Sequence, residues 1–263
     1  RYFREEIATL KKERPFFVGE FGPYIDNKVL TKENMISKTR DFLTFVQDEP
    51  GVSGVLLWSM YFHHRDGGFY WHQIFTYPSV WSYHWPGFPS AEAQREKELM
   101  ELWREAAFKI QRLDVPPVPV PGAAELLPIG EKPLMTWRGS AGASGYDVER
   151  AASADGPWGV IAPNVCDADI AYRPLFSDTT AVAGQKYFYR VVARNSSGRA
   201  EPSNVVGPVQ IKNVCFVDEL QNFSLAKAHS DDLTLDNTFN ALYAEHLFRA
   251  KGVAKSWISY KVA

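Results

Sequence analysis

The sequence is poor in the features that mark several protein classes. It has two cysteines in 263 residues, Cys166 and Cys215, and their spacing matches no zinc motif and predicts no disulfide framework. Basic residues do not exceed acidic ones, 29 against 31, so the surface lacks the positive excess that nucleic acid or an anionic membrane requires. No apolar run approaches the roughly 20 residues that span a bilayer. These absences favour a globular protein that neither binds nucleic acid nor inserts into a membrane, and they leave its oligomeric state open.

Composition changes along the chain predict three segments and one stiff linker. Residues 115–121 read Val-Pro-Pro-Val-Pro-Val-Pro, an extended run that cannot continue a helix. We therefore predict one domain over residues 1–114, a second over 122–211 and a third over 212–263. The third segment ends on a strand-like pattern and is expected to be a truncated β module.

The first segment alternates apolar strands with helices. Residues 16–22 form a short apolar run after Pro15, residues 53–58 form another, and helical patterns follow each run. Thr31 is placed to cap the first of these helices, and the second is predicted over residues 90–113. Continuous apolar strands separated by helices predict a parallel sheet that is covered on both faces.

Glu20 stands at the carboxyl end of the first predicted strand. Carboxylates are seldom buried without a partner, because removing the charge from water is costly. In (β/α)8 barrels, catalytic groups come from the carboxyl ends of strands. The alternative is a structural glutamate that pairs with an arginine or with backbone donors.

Two short stretches carry a resemblance to a known family. Residues 17–22, Phe-Val-Gly-Glu-Phe-Gly, resemble the seventh strand of family 5 and related clan A glycoside hydrolases, and residues 55–59, Val-Leu-Leu-Trp-Ser, resemble their eighth strand. The resemblance implies the last two units of a (β/α)8 barrel, with Glu20 as the nucleophile and Trp58 on the floor of the sugar subsite. Residues 65–72 are similar to bacterial mannanase-like members.

The same resemblance implies a secreted bacterial enzyme that acts on a β-linked polysaccharide such as mannan and needs no cofactor. A retaining glycosidase uses two carboxyl groups about 5–5.5 Å apart. In the resembled enzymes the acid/base is a Glu in an Asn-Glu pair, and no Asn-Glu pair occurs in this sequence. A whole barrel takes about 250 residues. We therefore expect these residues to be a fragment, inactive alone, and the activity to belong to the intact parent.

Residues 59–89 are rich in aromatic side chains and hold four of the six histidines. A long loop after a barrel strand lies on the catalytic face, where rings and imidazoles suit the apolar faces and hydroxyls of sugars. We predict that Trp71, His72 and His64 join Trp58 in binding substrate. The alternative is that most of these rings only pack the loop onto the barrel.

A metal site is the rival interpretation of this loop. His63, His64, Asp66 and His72 are residue types that ligate zinc and other divalent ions. Their spacing matches no closed metal motif. We therefore predict no metal.

The second segment shows the short strands and turns of a sandwich. Trp137, residues 145–150 and residues 187–195 resemble the fibronectin type III pattern, which implies an inward-facing Trp137 and Tyr187 as the corner tyrosine. Such a module either binds a sugar or a partner, or serves as a passive spacer. Residues 216–220 could open a carbohydrate-binding module. A non-catalytic binding or adhesion protein with a degenerate barrel is therefore the alternative to the enzyme.

Overall fold

The structure of the protein, a computed structural model, comprises two compact units. The division falls between Pro117 and Val118, inside residues 115–121. The residues that the structure describes are 5, 7, 9, 15–22, 31, 33–58, 60, 83, 85–86, 95–167, 174–218, 220, 222–240 and 245–261. The finer domain boundaries given above stay predictions.

Among the described residues from 15 onward, the elements of the first unit alternate between strand and helix. They are β1 (Phe16–Phe21), α1 (Met35–Asp48), β2 (Val52–Leu57) and α2 (Glu96–Ile110). β1 and β2 pair in parallel. A parallel pair needs a crossover connection, and α1 lies within it. The predicted parallel arrangement is therefore confirmed for these two strands, while α2 is shorter than the predicted helix over residues 90–113.

Helix α1 begins after a reciprocal pair of hydrogen bonds between Thr31 and Asn34. The Asn34 amide donates to Thr31 Oγ1 at 3.4 Å, and the Thr31 amide donates to Asn34 Oδ1 at 2.8 Å. These reciprocal bonds resemble those of a capping box, but they close the turn that precedes the helix. The N-cap residue of α1 is Asn34, which makes no side-chain capping bond, so the capping role predicted for Thr31 is not confirmed. The helix ends at Asp48, two residues before Pro50.

The two helices cover one face of the parallel pair. Val55 and Leu57 of β2 pack against a cluster of buried helix residues: Met35, Ile36, Leu43, Leu99, Met100, Leu102 and Ala106. On the other face Phe17 is 52% exposed and Leu56 is 57% exposed. The prediction of strands covered on both faces is therefore wrong for the residues described. Successive strand side chains alternate between faces, and both helices lie on the same face.

The second unit is mostly β structure. Its strands up to residue 211 are β3 (Glu125–Leu126), β4 (Leu134–Met135), β5 (Trp137–Arg138), β6 (Gly145–Ala151), β7 (Gly159–Val165), β8 (Phe176–Ser177), β9 (Lys186–Asn195), β10 (Gly198–Arg199) and β11 (Val206–Gln210). One antiparallel sheet has the order β10-β9-β6-β7, and β11 also pairs with β9. The short pairs β3-β5 and β4-β8 supply side chains to the same core, as in a fibronectin-like sandwich.

Trp137 lies at the centre of this core. It is fully buried, and its ring centroid is 5.2 Å from that of Tyr146. On β9, Tyr189, Val191 and Ala193 are fully buried at intervals of two, and Val192 on the opposite face is buried too. The predicted inward position of Trp137 is confirmed.

Tyr187 has the environment predicted for a corner tyrosine. It lies near the start of β9, and its hydroxyl accepts a hydrogen bond from the Val182 amide at 3.3 Å. A bond from this hydroxyl to backbone a few residues upstream is the feature that defines the corner.

The part of the chain after the sandwich forms short strands. They are β12 (Ala228–His229), β13 (Thr234–Asn240), β14 (Glu245–Lys251) and β15 (Ile258–Ser259), which pair as β12-β15 and β13-β14. Within the described residues, the strand-like pattern predicted near the end of the third segment forms only the two residues of β15. Within the described ranges, no helix is long and apolar enough to cross a membrane.

Candidate functional site

Glu20 and Trp58 lie at the same edge of the parallel pair. Glu20 is the next-to-last residue of β1, and Trp58 directly follows β2. The Trp58 amide donates a hydrogen bond to the Phe21 carbonyl at 2.8 Å, so the chain segments that carry the two side chains are fixed side by side. Both side chains are exposed, Trp58 to 44%. The structure thus brings together two of the predicted site residues at the carboxyl ends of adjacent strands.

An irregularity in β1 turns Glu20 away from the helices. Val18 is buried and Phe21 stacks on Phe42 of α1, with ring centroids 3.8 Å apart and an interplanar angle of 8°. The register with β2 shifts between Val18 and Phe21, so that β1 has two residues, Gly19 and Glu20, between these two inward-facing positions. Both of these residues are exposed. Such bulges re-aim side chains and are frequent beside active sites.

The face that carries Glu20 and Trp58 is also apolar. A Cβ on Gly54 would come within 2.9 Å of the Phe17 ring, which places Phe17 over Gly54. Leu56 and Trp58 follow Gly54 at intervals of two and share its face. We call Phe17, Glu20, Leu56 and Trp58 the open face. It offers one carboxylate beside apolar and aromatic surface, which suits a ligand with both hydroxyl groups and apolar faces.

The other three predicted substrate-binding residues lie outside the part of the chain that the structure describes. They are Trp71, His72 and His64, and His63 and Asp66 of the alternative metal site lie outside it as well. Within the described residues, no group of three or more His, Cys, Asp and Glu side chains could hold a metal ion. The roles of the loop residues stay predictions.

Gly22 allows the two strand ends to approach each other. A Cβ at this position would lie 2.3 Å from the Trp58 carbonyl oxygen, whereas a Cβ on Gly19 would meet nothing within 4 Å. We expect Gly22→Ala to push the strand ends apart at a cost of about 1–3 kcal/mol. Hydrogen exchange of the Trp58 amide, measured by NMR on the full chain, should accelerate about tenfold or more. Gly19→Ala is the matched control and should leave that amide protected; equal protection in both variants would contradict the close approach.

The second unit carries a ladder of charged residues on the outer face of its sheet. Asp147 and Glu149 of β6 are both buried, and three arginines bond them. The Glu149 carboxylate accepts from Arg190 Nε at 2.6 Å and Arg199 Nη2 at 2.7 Å. Asp147 accepts from Arg194 Nη1 at 3.3 Å and pairs with Arg199 Nε at 3.2 Å.

The ring of Trp158 lies under this ladder, 4.3 Å from the Arg190 guanidinium carbon. None of the sequence patterns described above predicted the ladder. The signal was present, because acids at intervals of two on one strand and arginines at even intervals on its partner share a face. With every acid paired, the ladder stiffens the sheet and offers no free carboxylate for chemistry.

Comparisons with known proteins show no family and a weak likeness to solved structures. No protein-family model matches the chain, and no curated protein matches it. Among solved structures, the crystal structure of a Fn3-like protein from Clostridium thermocellum is similar, with 24% sequence identity over 38% of this chain and 96% of that chain, at a TM-score of 0.27. A TM-score this low supports no argument, so the description of a fibronectin-like sandwich rests on the strands, Trp137 and Tyr187 themselves.

Proposed function

We propose that the chain is part of a secreted retaining glycoside hydrolase that cleaves a β-linked polysaccharide such as mannan. The observation that carries the proposal is the position of Glu20 and Trp58 at the carboxyl ends of two adjacent parallel strands. In barrels of this type that edge is the catalytic face. The resemblance of residues 17–22 and 55–59 to the last two strands of clan A enzymes supports the same assignment.

The proposed reaction proceeds in two displacements. The Glu20 carboxylate attacks the anomeric carbon, the glycosidic C–O bond breaks, and a carboxylic acid donates its proton to the leaving oxygen. Water then attacks the same carbon, loses a proton to the second carboxylate, and releases Glu20. The Trp58 ring supports the apolar face of the sugar next to the cleaved bond. No cofactor takes part.

The second carboxyl group is needed for the first step. In the resembled enzymes it ends the fourth barrel strand, and the sequence holds no Asn-Glu pair that could supply it. The proposed activity therefore belongs to the intact barrel. Open apolar surface such as Phe17 and Leu56 would be covered there by the remaining barrel strands.

Covalent trapping tests the role of Glu20. A 2-deoxy-2-fluoro-β-mannoside or glucoside with a good leaving group slows the second displacement, so we expect the glycosyl ester to accumulate on the intact protein. Peptide mass spectrometry should find the added sugar on Glu20 alone. Pretreatment with a competing oligosaccharide should prevent labelling, and an adduct on another carboxylate would refute the assignment.

A non-catalytic carbohydrate-binding or adhesion protein is the second candidate. The sandwich in the second unit favours it, since such modules commonly bind partners or act as spacers. The two candidates differ in the intact protein: the hydrolase requires turnover of an oligosaccharide, whereas the adhesion protein requires binding without turnover. A secreted location and a polysaccharide partner are common to both proposals.

A further inference from the structure

A cleft of about 500 Å³ lies within the second unit, between the sandwich and the segment that follows it. One wall is formed by the sandwich residues Ile161, Leu175 and Phe176. Phe216 and Leu225 form the facing wall. Small-molecule sites have volumes of about 300–1,000 Å³ and are lined mainly by apolar side chains with a few polar groups. The cleft has the size and the lining of such a site.

The facing wall is held in place by specific contacts. Phe216 meets Tyr260 edge to face, with ring centroids 5.2 Å apart. The Tyr260 hydroxyl donates to Asp218 Oδ2 at 2.9 Å, and Asp218 Oδ1 accepts from the Leu220 amide at 2.8 Å. Contacts with Tyr260 therefore hold the facing wall at two points, the Phe216 ring and the Asp218 carboxylate. A wall held in this way is already formed before a ligand binds.

The sandwich wall is fixed by a buried carboxylate. Asp178 is 1% exposed and accepts hydrogen bonds from Arg150 Nη1 at 2.7 Å, Tyr189 Oη at 3.1 Å and Thr180 Oγ1 at 2.7 Å. The charge of Asp178 is thereby balanced by Arg150. Hydrogen bonds thus hold both walls in place without a ligand, and a preformed site lowers the entropy lost when a ligand binds.

The polar groups at the cleft define the chemistry of its ligand. Ser177, Asn222 and Ser224 contribute hydroxyl and amide groups. The lining residues that the structure describes include no Lys, Arg or His, and Asp218 adds a negative charge. An anionic ligand would therefore be repelled, whereas a neutral ring with apolar C–H faces and several hydroxyls finds both aromatic walls and hydrogen-bond partners.

We propose that this cleft binds a neutral pyranose unit of a glycan, in a site separate from Glu20. The choice of a sugar, among other hydroxylated rings, as the ligand rests on the proposed function. The existence, size and lining of the cleft do not depend on it. Such a site would hold the polysaccharide on the module that follows the barrel. The module would then be a binding module and not a passive spacer.

Calorimetric titration of the full chain with three neutral oligosaccharides tests the proposal. Cellopentaose, mannopentaose and xylopentaose are the probes, and a penta-galacturonate is the acidic comparison. We expect at least one neutral probe to bind with a Kd of about 1 mM or tighter, and the galacturonate to bind at least about tenfold more weakly. Binding of the galacturonate alone, or of none of the four, would overturn the proposal.

Two exposed residues of the cleft serve for variants, each with a matched control. Ser224→Trp fills the cleft, and Leu225→Ser removes apolar surface from its wall; both should weaken binding of the best probe about tenfold. Ser196→Trp and Leu113→Ser change exposed residues of the same types outside the lining and should bind as the unchanged chain does. An unchanged Tm shows that each variant is folded.

Equal Kd values in the cleft variants and their controls would place the sugar elsewhere and reject the cleft. Glu105→Gln, at an exposed position of α2 outside both proposed sites, should leave this binding unchanged. Failure of the cleft therefore shows in the binding assay, and failure of the proposed hydrolase shows in the trapping assay.

Discussion

Glu20→Gln is expected to lower the kcat of the intact protein on manno- or cello-oligosaccharides by about 10³-fold or more. A carboxamide cannot form the glycosyl ester, so the first displacement has no nucleophile. The Glu20 side chain is exposed, and its replacement by an amide of the same size removes no buried contact. The measurement is kcat and KM by reducing-end release, with circular dichroism to show an unchanged fold.

Glu105→Gln is the matched control for this variant. Glu105 lies on α2 and is also exposed, so its substitution should leave kcat within about twofold. Rescue of Glu20→Gly by azide, with formation of a glycosyl azide of inverted configuration, would identify the nucleophile directly, since the anion attacks in place of the missing carboxylate. Turnover by Glu20→Gln at the original rate would refute Glu20 as the nucleophile, whereas binding without any turnover in the unchanged protein would favour the non-catalytic binding protein.

Asp178→Ala is expected to destabilise the second unit by about 3–5 kcal/mol. The substitution leaves the Arg150 guanidinium without its carboxylate and removes an acceptor from the Tyr189 hydroxyl. The pKa of Tyr189 is raised, first by burial and then by the nearby Asp178 carboxylate, which shows how closely the two groups interact. Urea denaturation followed by near-ultraviolet circular dichroism measures the loss.

Two further variants separate the ion pair from the rest of the fold. Asp155→Ala changes an exposed aspartate on a turn of the same sandwich and should shift the free energy of unfolding by less than about 0.5 kcal/mol. The double variant Arg150→Met/Asp178→Leu removes both charges and should recover much of the lost stability, because the main penalty in Asp178→Ala is the partly buried Arg150 guanidinium left without its carboxylate. A double variant as unstable as Asp178→Ala would show that packing, and not charge, is decisive at this site.

Much of the local structure could be predicted because it depends on short patterns. Two apolar runs separated by a helix predicted a parallel pair, and β1, α1 and β2 have that arrangement. The fibronectin-like pattern around Trp137 predicted that this ring faces inward, and Trp137 is fully buried in the sandwich core. These patterns act through periodicity and backbone hydrogen bonding, which neighbouring residues determine.

Other features required the folded chain. The bulge at Gly19 and Glu20 arises from pairing with β2 and leaves no mark in local composition. The bonds from Arg150 and Tyr189 to Asp178 join residues 28 and 11 positions apart, and no periodic pattern links them. The cleft is formed by Leu175 and Phe216, which are still farther apart in the chain.

The sequence by itself determined the strands, the helices and the position of one carboxylate at a strand end. It also determined that the charge balance gives no basic surface. Tertiary structure decided that Glu20 is exposed and beside Trp58, that helices cover only one face of the described parallel pair, and which charges pair across the sandwich. The physical reason is that hydrogen-bond periodicity is local, whereas exposure, register and ion pairing depend on which distant segments come into contact.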